Sequence, residues 1–99
     1  MKIQFQETGG FIGTVKVCHL DTDALAHDEA QTVRRMVRES GICASGTHLC
    51  DTARDMQQYE IKIDDGREIA VTFDDQSVPE SAWELVGYLK DRASPLRRN

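Results

Sequence analysis

Apolar and polar residues alternate along the first twenty positions of the chain, which is the pattern of strands with one buried face. Ile3 and Phe5 alternate with a lysine and glutamines, and Val15 and Val17 alternate with a threonine and a lysine. This pattern predicts a first hairpin whose two strands turn Ile3, Phe5, Val15 and Val17 towards the core.

The segment between these two strands reads Gly9-Gly10-Phe11-Ile12-Gly13. Glycine is used where the backbone needs a positive φ or unhindered approach, so the segment is predicted to be the hairpin tip. Loops usually lie on the surface, and two large apolar residues at a tip therefore need an explanation. Either Phe11 and Ile12 fold back onto the core, or they are exposed for a partner. The residue pattern alone leaves both possibilities open.

Two further segments have the periodicity of amphipathic helices. The first runs from about His27 to Ser40, and Gly41 is placed to end it in a left-handed conformation. The second is predicted to begin after Ser77, with Ser77 as its N-cap, Pro79 in its first turn and Glu80 reaching back to the cap. It is predicted to end at Ser94-Pro95, because the residue before a proline disfavours helix. The predicted buried stripes are Ala26, Ala30, Val33 and Val37 in the first helix, and Ala82, Leu85, Val86 and Leu89 in the second, with Trp83 at the edge.

A second hairpin is predicted between the two helices. Three apolar residues alternate with polar ones before its turn and three after it, namely Tyr59, Ile61, Ile63, Ile69, Val71 and Phe73. Only a loop with an odd number of residues puts all six on one face of the sheet. A three-residue loop Asp64-Asp65-Gly66, with Gly66 left-handed, meets this condition and would pair Ile61 with Ile69 and Tyr59 with Val71.

The predicted order is strand, strand, helix, strand, strand, helix. Two one-sided hairpins need their apolar faces covered, and two amphipathic helices can cover them. We therefore predict a single α+β domain over residues 1–93, with a four-stranded antiparallel sheet covered on one face by two helices. Residues 94–99 are predicted to be a flexible C-terminal tail. Residues 42–56 have no period and are predicted to be a long loop.

Composition narrows the classes of function. The net charge of −5 over 99 residues argues against a nucleic-acid binder, which would normally carry a basic stripe. There is no apolar run of membrane-spanning length and no secretory leader, so we expect a cytoplasmic protein that does not associate with membranes. The three cysteines fit reduced thiols in that compartment better than a disulfide framework. We expect a monomer.

The strongest candidate for metal chemistry is the set Cys43, His48 and Cys50 in the long loop, because thiolate and imidazole are the usual ligands of zinc. No Cys-x-x-Cys spacing supports the site, so a half-buried structural thiol is the favoured interpretation and a metal or redox domain the alternative. Cys18 and His19 are adjacent in a strand, so they point to opposite faces and cannot form a nucleophile and its base. The sequence therefore predicts a protein that is not an enzyme.

Several motifs occur in order along nearly the whole chain. They are Met1-Lys2-Ile3, Gly9-Gly10-Phe11-x-Gly13, Asp21, Tyr59-x-Ile61-x-Ile63-x-Asp65-Gly66, and Pro79 followed by Leu85-Val86-x-x-Leu89. Together they resemble the emfourin family of small cytosolic inhibitors of thermolysin-like zinc metalloproteases. The resemblance implies an inhibitor that competes for the active-site cleft of such a protease. It also implies that the inhibitor needs no cofactor, because the relevant zinc belongs to the partner.

Thermolysin-like enzymes resemble one another in preferring a bulky apolar side chain just after the scissile bond. An exposed Phe11 or Ile12 would supply such a side chain, and buried anchors of this kind carry most of the binding energy of interfaces. We therefore predict that the segment from Gly9 to Gly13 binds the protease. The alternative function is that of a general protein-interaction module whose partner is not a protease.

Overall fold

The computed structural model of the chain describes residues 1–9, 15–48 and 57–95. They form an α+β domain with two helices and a mixed sheet. The strands are β1 (Lys2–Thr8), β2 (Lys16–Asp21), β3 (Gly46–His48), β4 (Gln58–Asp64), β5 (Glu68–Asp74) and β6 (Ser94–Pro95). The helices are α1 (His27–Ser40) and α2 (Trp83–Arg92), preceded by 3-10 turns at Thr22–Ala24 and Glu80–Ala82. The predicted start of the second helix after Ser77 is wrong, because Pro79 is extended with a ψ of 145° and the Ser77 hydroxyl accepts from the Asp74 amide instead of capping the helix.

Within the described residues the sheet has six strands in the order β3-β5-β4-β1-β2-β6. The four central strands are the predicted ones, and they pair antiparallel as predicted. The prediction of a four-stranded, purely antiparallel sheet is nevertheless wrong in detail. One short strand extends the sheet at each edge, and β3 pairs with β5 in parallel.

Both additional strands come from segments that sequence patterns assign to irregular structure. β3 lies inside the predicted loop 42–56 and pairs with Val71–Phe73, while residues 49–56 lie outside the described residues. A three-residue strand is too short to show an alternating pattern. β6 comprises the first two residues of the predicted tail and pairs with Lys16 and Val17 of β2.

Helix α1 has the predicted boundaries, and Gly41 ends it with a φ of 77° in the left-handed region. The predicted burial of Ala30, Val33 and Val37 is confirmed, and Met36 is buried beside them. Ala26 is exposed, because it is the residue that precedes the helix rather than part of it. The combination of an amphipathic stripe with a glycine stop thus predicted both the helix and its orientation on the sheet.

The register of the first hairpin corrects one prediction. Phe5 lies opposite Cys18, and Ile3 lies opposite Leu20, so β2 presents these two residues to the core. Val17 is half-buried on the other face of the sheet, so its predicted place in the core, with that of Val15, is wrong. β2 has apolar residues at both odd-numbered and even-numbered positions, so alternation alone could not decide which set faces the core.

The second hairpin has the predicted odd-length loop, but its register differs by two residues. Ile61 pairs with Val71 and Tyr59 with Phe73. The loop is therefore Asp65-Gly66-Arg67 rather than Asp64-Asp65-Gly66, and Gly66 has a φ of 83° as expected. A shift of two leaves every side chain on its predicted face, which is why the pattern could not distinguish the two registers.

The core lies between the sheet and the two helices. Leu85, Val86 and Leu89 of α2 are fully buried in it. The helices are antiparallel, since Glu84 at the start of α2 bonds to Arg35 in the second half of α1, whereas Tyr88 further along α2 donates to Glu29 in the first turn of α1 with an oxygen–oxygen distance of 2.6 Å. Neither helix in the described part of the chain is both long and apolar enough to cross a lipid bilayer.

We expect Gly66→Ala to lower the free energy of unfolding by about 1 kcal/mol, because a side chain disfavours the left-handed backbone. A Cβ at this position would meet no heavy atom of the described residues within 4 Å, so the cost is conformational rather than steric. Gly66→Asn is the matched control and should lose less, since asparagine tolerates this region. Urea unfolding of the three proteins measures the difference. Equal stability of the alanine variant and the unchanged protein would contradict the left-handed conformation assigned to Gly66.

Candidate partner-binding site

The predicted contact segment connects β1 to β2. Of its five residues, Gly9 lies within the described part of the chain, while Gly10, Phe11, Ile12 and Gly13 lie outside it. Gly9 is exposed and has a φ of 104°, a conformation that favours glycine. The glycine at the start of the tip therefore has the role that the sequence indicates. The placement of Phe11 and Ile12 stays a prediction.

The residues that precede the predicted tip lie in a frame of three paired strands. Glu7, two residues before Gly9, pairs with Lys16 of β2 on one side and with Tyr59 of β4 on the other. The end of the sheet at which β1 ends therefore also contains the starts of β2 and β4. We call this the tip end of the molecule. The turn around Gly66 lies at the opposite end of β4.

Tyr59 is the central aromatic residue of the tip end. Its ring is fully buried and stacks on Phe5, with 6.1 Å between ring centroids and 16° between ring planes. Trp83, the first residue of α2, meets the same ring edge-on with a centroid distance of 6.3 Å. Tyr59 thus joins β1, β4 and α2 in one packed cluster, just below the point where the tip begins.

Polar partners satisfy the hydroxyl group of Tyr59. It donates to the Asp75 carboxylate and accepts from Lys90, whose Nζ lies 3.3 Å from the hydroxyl oxygen. Burial raises the pKa of Tyr59 most, and the hydrogen bond to Asp75 adds to the rise. The hydroxyl therefore remains a protonated donor at neutral pH, which suits a structural anchor rather than a nucleophile or base.

Trp83, Asp75 and Lys90 are residues of the tip end that sequence reasoning did not place there. The position of Trp83 at the edge of a buried stripe was a usable signal, since its side chain is 39% exposed. Lys90 carries no comparable signal, because its contact with Tyr59 arises only when α2 packs across the sheet. Asp75 lies in the turn after β5, and its partner Tyr59 comes from β4, so no local pattern indicates the contact.

The three candidate zinc ligands are not brought together by the described structure. Cys43 is exposed before β3, His48 ends β3, and Cys50 lies outside the described residues. No cluster of three or more potential metal ligands occurs among the described residues, and a site that includes Cys50 stays untested. Cys18 is buried in β2, and burial raises the pKa of its thiol, which makes the thiolate less available.

We expect Tyr59→Phe to lower the free energy of unfolding by about 1 kcal/mol at pH 7, through loss of the hydroxyl's hydrogen bonds. The pKa of Tyr59 is raised above its value of about 10 in the unfolded chain, so the hydroxyl's contribution is fully present below about pH 10. That contribution falls as the pH rises further, because the unfolded chain ionises first. Urea unfolding at pH 7, 9 and 10.5 should show a difference between the two proteins that is constant at first and then shrinks.

Tyr88 also has a raised pKa, of about 12, caused by burial and by its hydrogen bond to Glu29. It is present in both proteins, so its titration cancels from the comparison. A difference that stays constant up to pH 10.5 would show that the Tyr59 hydroxyl is not held as described.

The family model described as Emfourin matches residues 5–90. The matched range runs from the middle of β1 to Lys90 and therefore contains Gly9, Tyr59 and Trp83 as well. No curated protein and no solved structure is significantly similar to the chain. The match covers most of the chain and includes the whole tip end, and the chain belongs to the emfourin family.

Proposed function

We propose that this protein inhibits thermolysin-like zinc metalloproteases by occupying the active-site cleft in competition with substrate. The observation that carries the proposal is its membership of the emfourin family, which rests on the match over residues 5–90. In this proposal the protein supplies a contact surface and no catalytic group. The zinc involved is that of the protease.

We propose further that the segment from Gly9 to Gly13 enters the cleft, with Phe11 or Ile12 as its apolar anchor. The exposed Gly9 supports this assignment, because its φ of 104°, directly after the end of β1, is a backbone conformation typical of turns. The frame below the tip also supports it. β1 is paired on both sides up to Glu7, so less order has to be created on binding than for a free peptide.

The buried cluster around Tyr59 gives this frame its rigidity. A contact segment held on a packed scaffold loses less conformational entropy on association, and the gain appears as affinity. The tip end also contains Trp83, and tryptophan is among the residues most enriched at energetically important interface positions. The geometry therefore favours an interaction surface at this end over the far end at Gly66.

We expect the purified protein to inhibit a thermolysin-like protease with one-to-one stoichiometry and an apparent inhibition constant that rises with substrate concentration. Phe11→Ala should raise the inhibition constant at least about 30-fold, equivalent to about 2 kcal/mol, through loss of a buried anchor. Arg67→Ala, in the exposed turn at the opposite end of β4, is the control and should inhibit like the unchanged protein. Urea unfolding of each variant shows whether it is folded.

The outcomes separate the alternatives. Unchanged inhibition by a folded Phe11→Ala variant would remove the tip from the interface. A loss of stability of about 3 kcal/mol or more would show instead that Phe11 belongs to the core. No inhibition by the unchanged protein would contradict the proposed function and favour an interaction module with another partner. Zinc stoichiometry of the purified protein tests the metal-domain alternative independently.

A further inference from the structure

Helix α2 contains a glycine, Gly87, in its interior. Glycine in a helix interior is less favourable than alanine, because it loses more conformational freedom on folding. A positive φ, which is the usual reason for glycine at a given position, does not apply to Gly87. The described glycines with positive φ are Gly9, Gly41 and Gly66, and Gly87 is not among them.

Crowding does not explain this glycine either. Apart from its two chain neighbours and the backbone of its own helix, no heavy atom of the described residues would lie within 4 Å of a Cβ placed on Gly87. At Gly41, by comparison, the Ser81 hydroxyl would lie 3.9 Å from such a Cβ and the φ is 77°. Alanine would therefore fit at position 87 and stabilise the helix, so nothing within the described fold accounts for glycine.

Two side chains flank Gly87 on the same side of the helix. Trp83 lies four residues before it and Lys90 three residues after it, which places all three on one side of the helix. Trp83 is the large hydrophobic residue that the described structure leaves exposed. We call the surface formed by Trp83, Gly87 and Lys90 the α2 flank.

The α2 flank borders the tip end. The ring centroids of Trp83 and Tyr59 are 6.3 Å apart, and Lys90 Nζ lies 3.3 Å from the Tyr59 hydroxyl oxygen. Tyr59 is paired with Glu7, two residues before the tip begins. The other side of α2 faces α1, where Glu84 accepts from Arg35 with a nitrogen–oxygen distance of 3.0 Å. Among the described residues, the flank is thus the side of α2 that is turned away from α1 and retains exposed surface at Trp83, next to the end of the sheet from which the predicted contact segment continues.

The size of a stable interface requires such a neighbouring surface. Specific complexes bury about 800 Å² and involve about 20–30 residues on each partner. A tip of five residues supplies only a part of this, and the remainder has to come from surface that is continuous with it. The α2 flank combines that position with an exposed tryptophan, and tryptophan is enriched at interface hot spots.

We propose that the α2 flank is a second contact surface for the same protease, in which a main-chain segment of the protease lies against Gly87 and packs beside Trp83. The absence of a side chain at position 87 permits this close approach. The inference rests on the proposed function, since it concerns how that partner is held. It assigns to Gly87 a role in binding at the expense of helix stability.

Gly87→Ala tests this directly. We expect the variant to raise the Tm by about 4 to 8 °C, as the gain in helix propensity requires for a domain of this size. We also expect it to raise the inhibition constant for a thermolysin-like protease about 10-fold. Gly87→Gln also introduces a good helix former, but its side chain is longer than that of alanine, so it should raise the inhibition constant more than Gly87→Ala does.

Gly66→Ala is the control, for which the opposite pair of effects is expected. It lies at the opposite end of β4, so it should lower stability and leave inhibition unchanged. Inhibition within twofold of the unchanged protein by both Gly87 variants would overturn the inference while leaving the proposed function in place. A lower Tm for Gly87→Ala would also overturn it, because the glycine would then serve the fold. No inhibition by the unchanged protein would overturn the proposed function and the inference with it.

Discussion

The burial of one tyrosine in the central part of the sheet is the constraint on which the rest of the tip end depends. Tyr59 has no exposed surface, stacks on Phe5 and contacts Trp83 edge-on. Aromatic pairs of this kind add about 0.5–1.5 kcal/mol beyond the burial of their area. Because a buried hydroxyl needs hydrogen-bond partners, Asp75 and Lys90 are held at the same place. A strand, a turn and a helix are thereby fixed relative to one another.

Patterns of apolar residues predicted the parts of the fold that depend on local periodicity. Helix α1 was found in full because an amphipathic stripe and a glycine stop coincide. Alternation specifies a face but not a register, so the pairing of Tyr59 was wrong by two residues while its burial was right. β3 was missed because three residues give no measurable period, and its parallel partner lies far along the chain. Contacts such as that between Lys90 and Tyr59 depend on tertiary packing, and no local pattern encodes them.

The glycines divide by the physical reason for their presence. Gly41 and Gly66 have positive φ at the end of a helix and in a tight turn, so the fold itself requires them. Gly9 has the same property directly after β1, where the proposed contact segment begins. Gly87 has neither positive φ nor close neighbours among the described residues, and it lies beside an exposed tryptophan. Locally unfavourable residues of this kind are expected at functional sites, which agrees with the proposed role of Gly87 in binding.

The most direct test of the account is backbone amide hydrogen exchange of the protein, free and in complex with a thermolysin-like protease. The proposed interface lies at the tip end, so exchange should slow on binding in residues 9–15 and along residues 83–90. Exchange in the turn at residues 65–67 should not change. Protection confined to that turn or to the start of α1, with the tip unaffected, would contradict the account and place the interface elsewhere on the molecule.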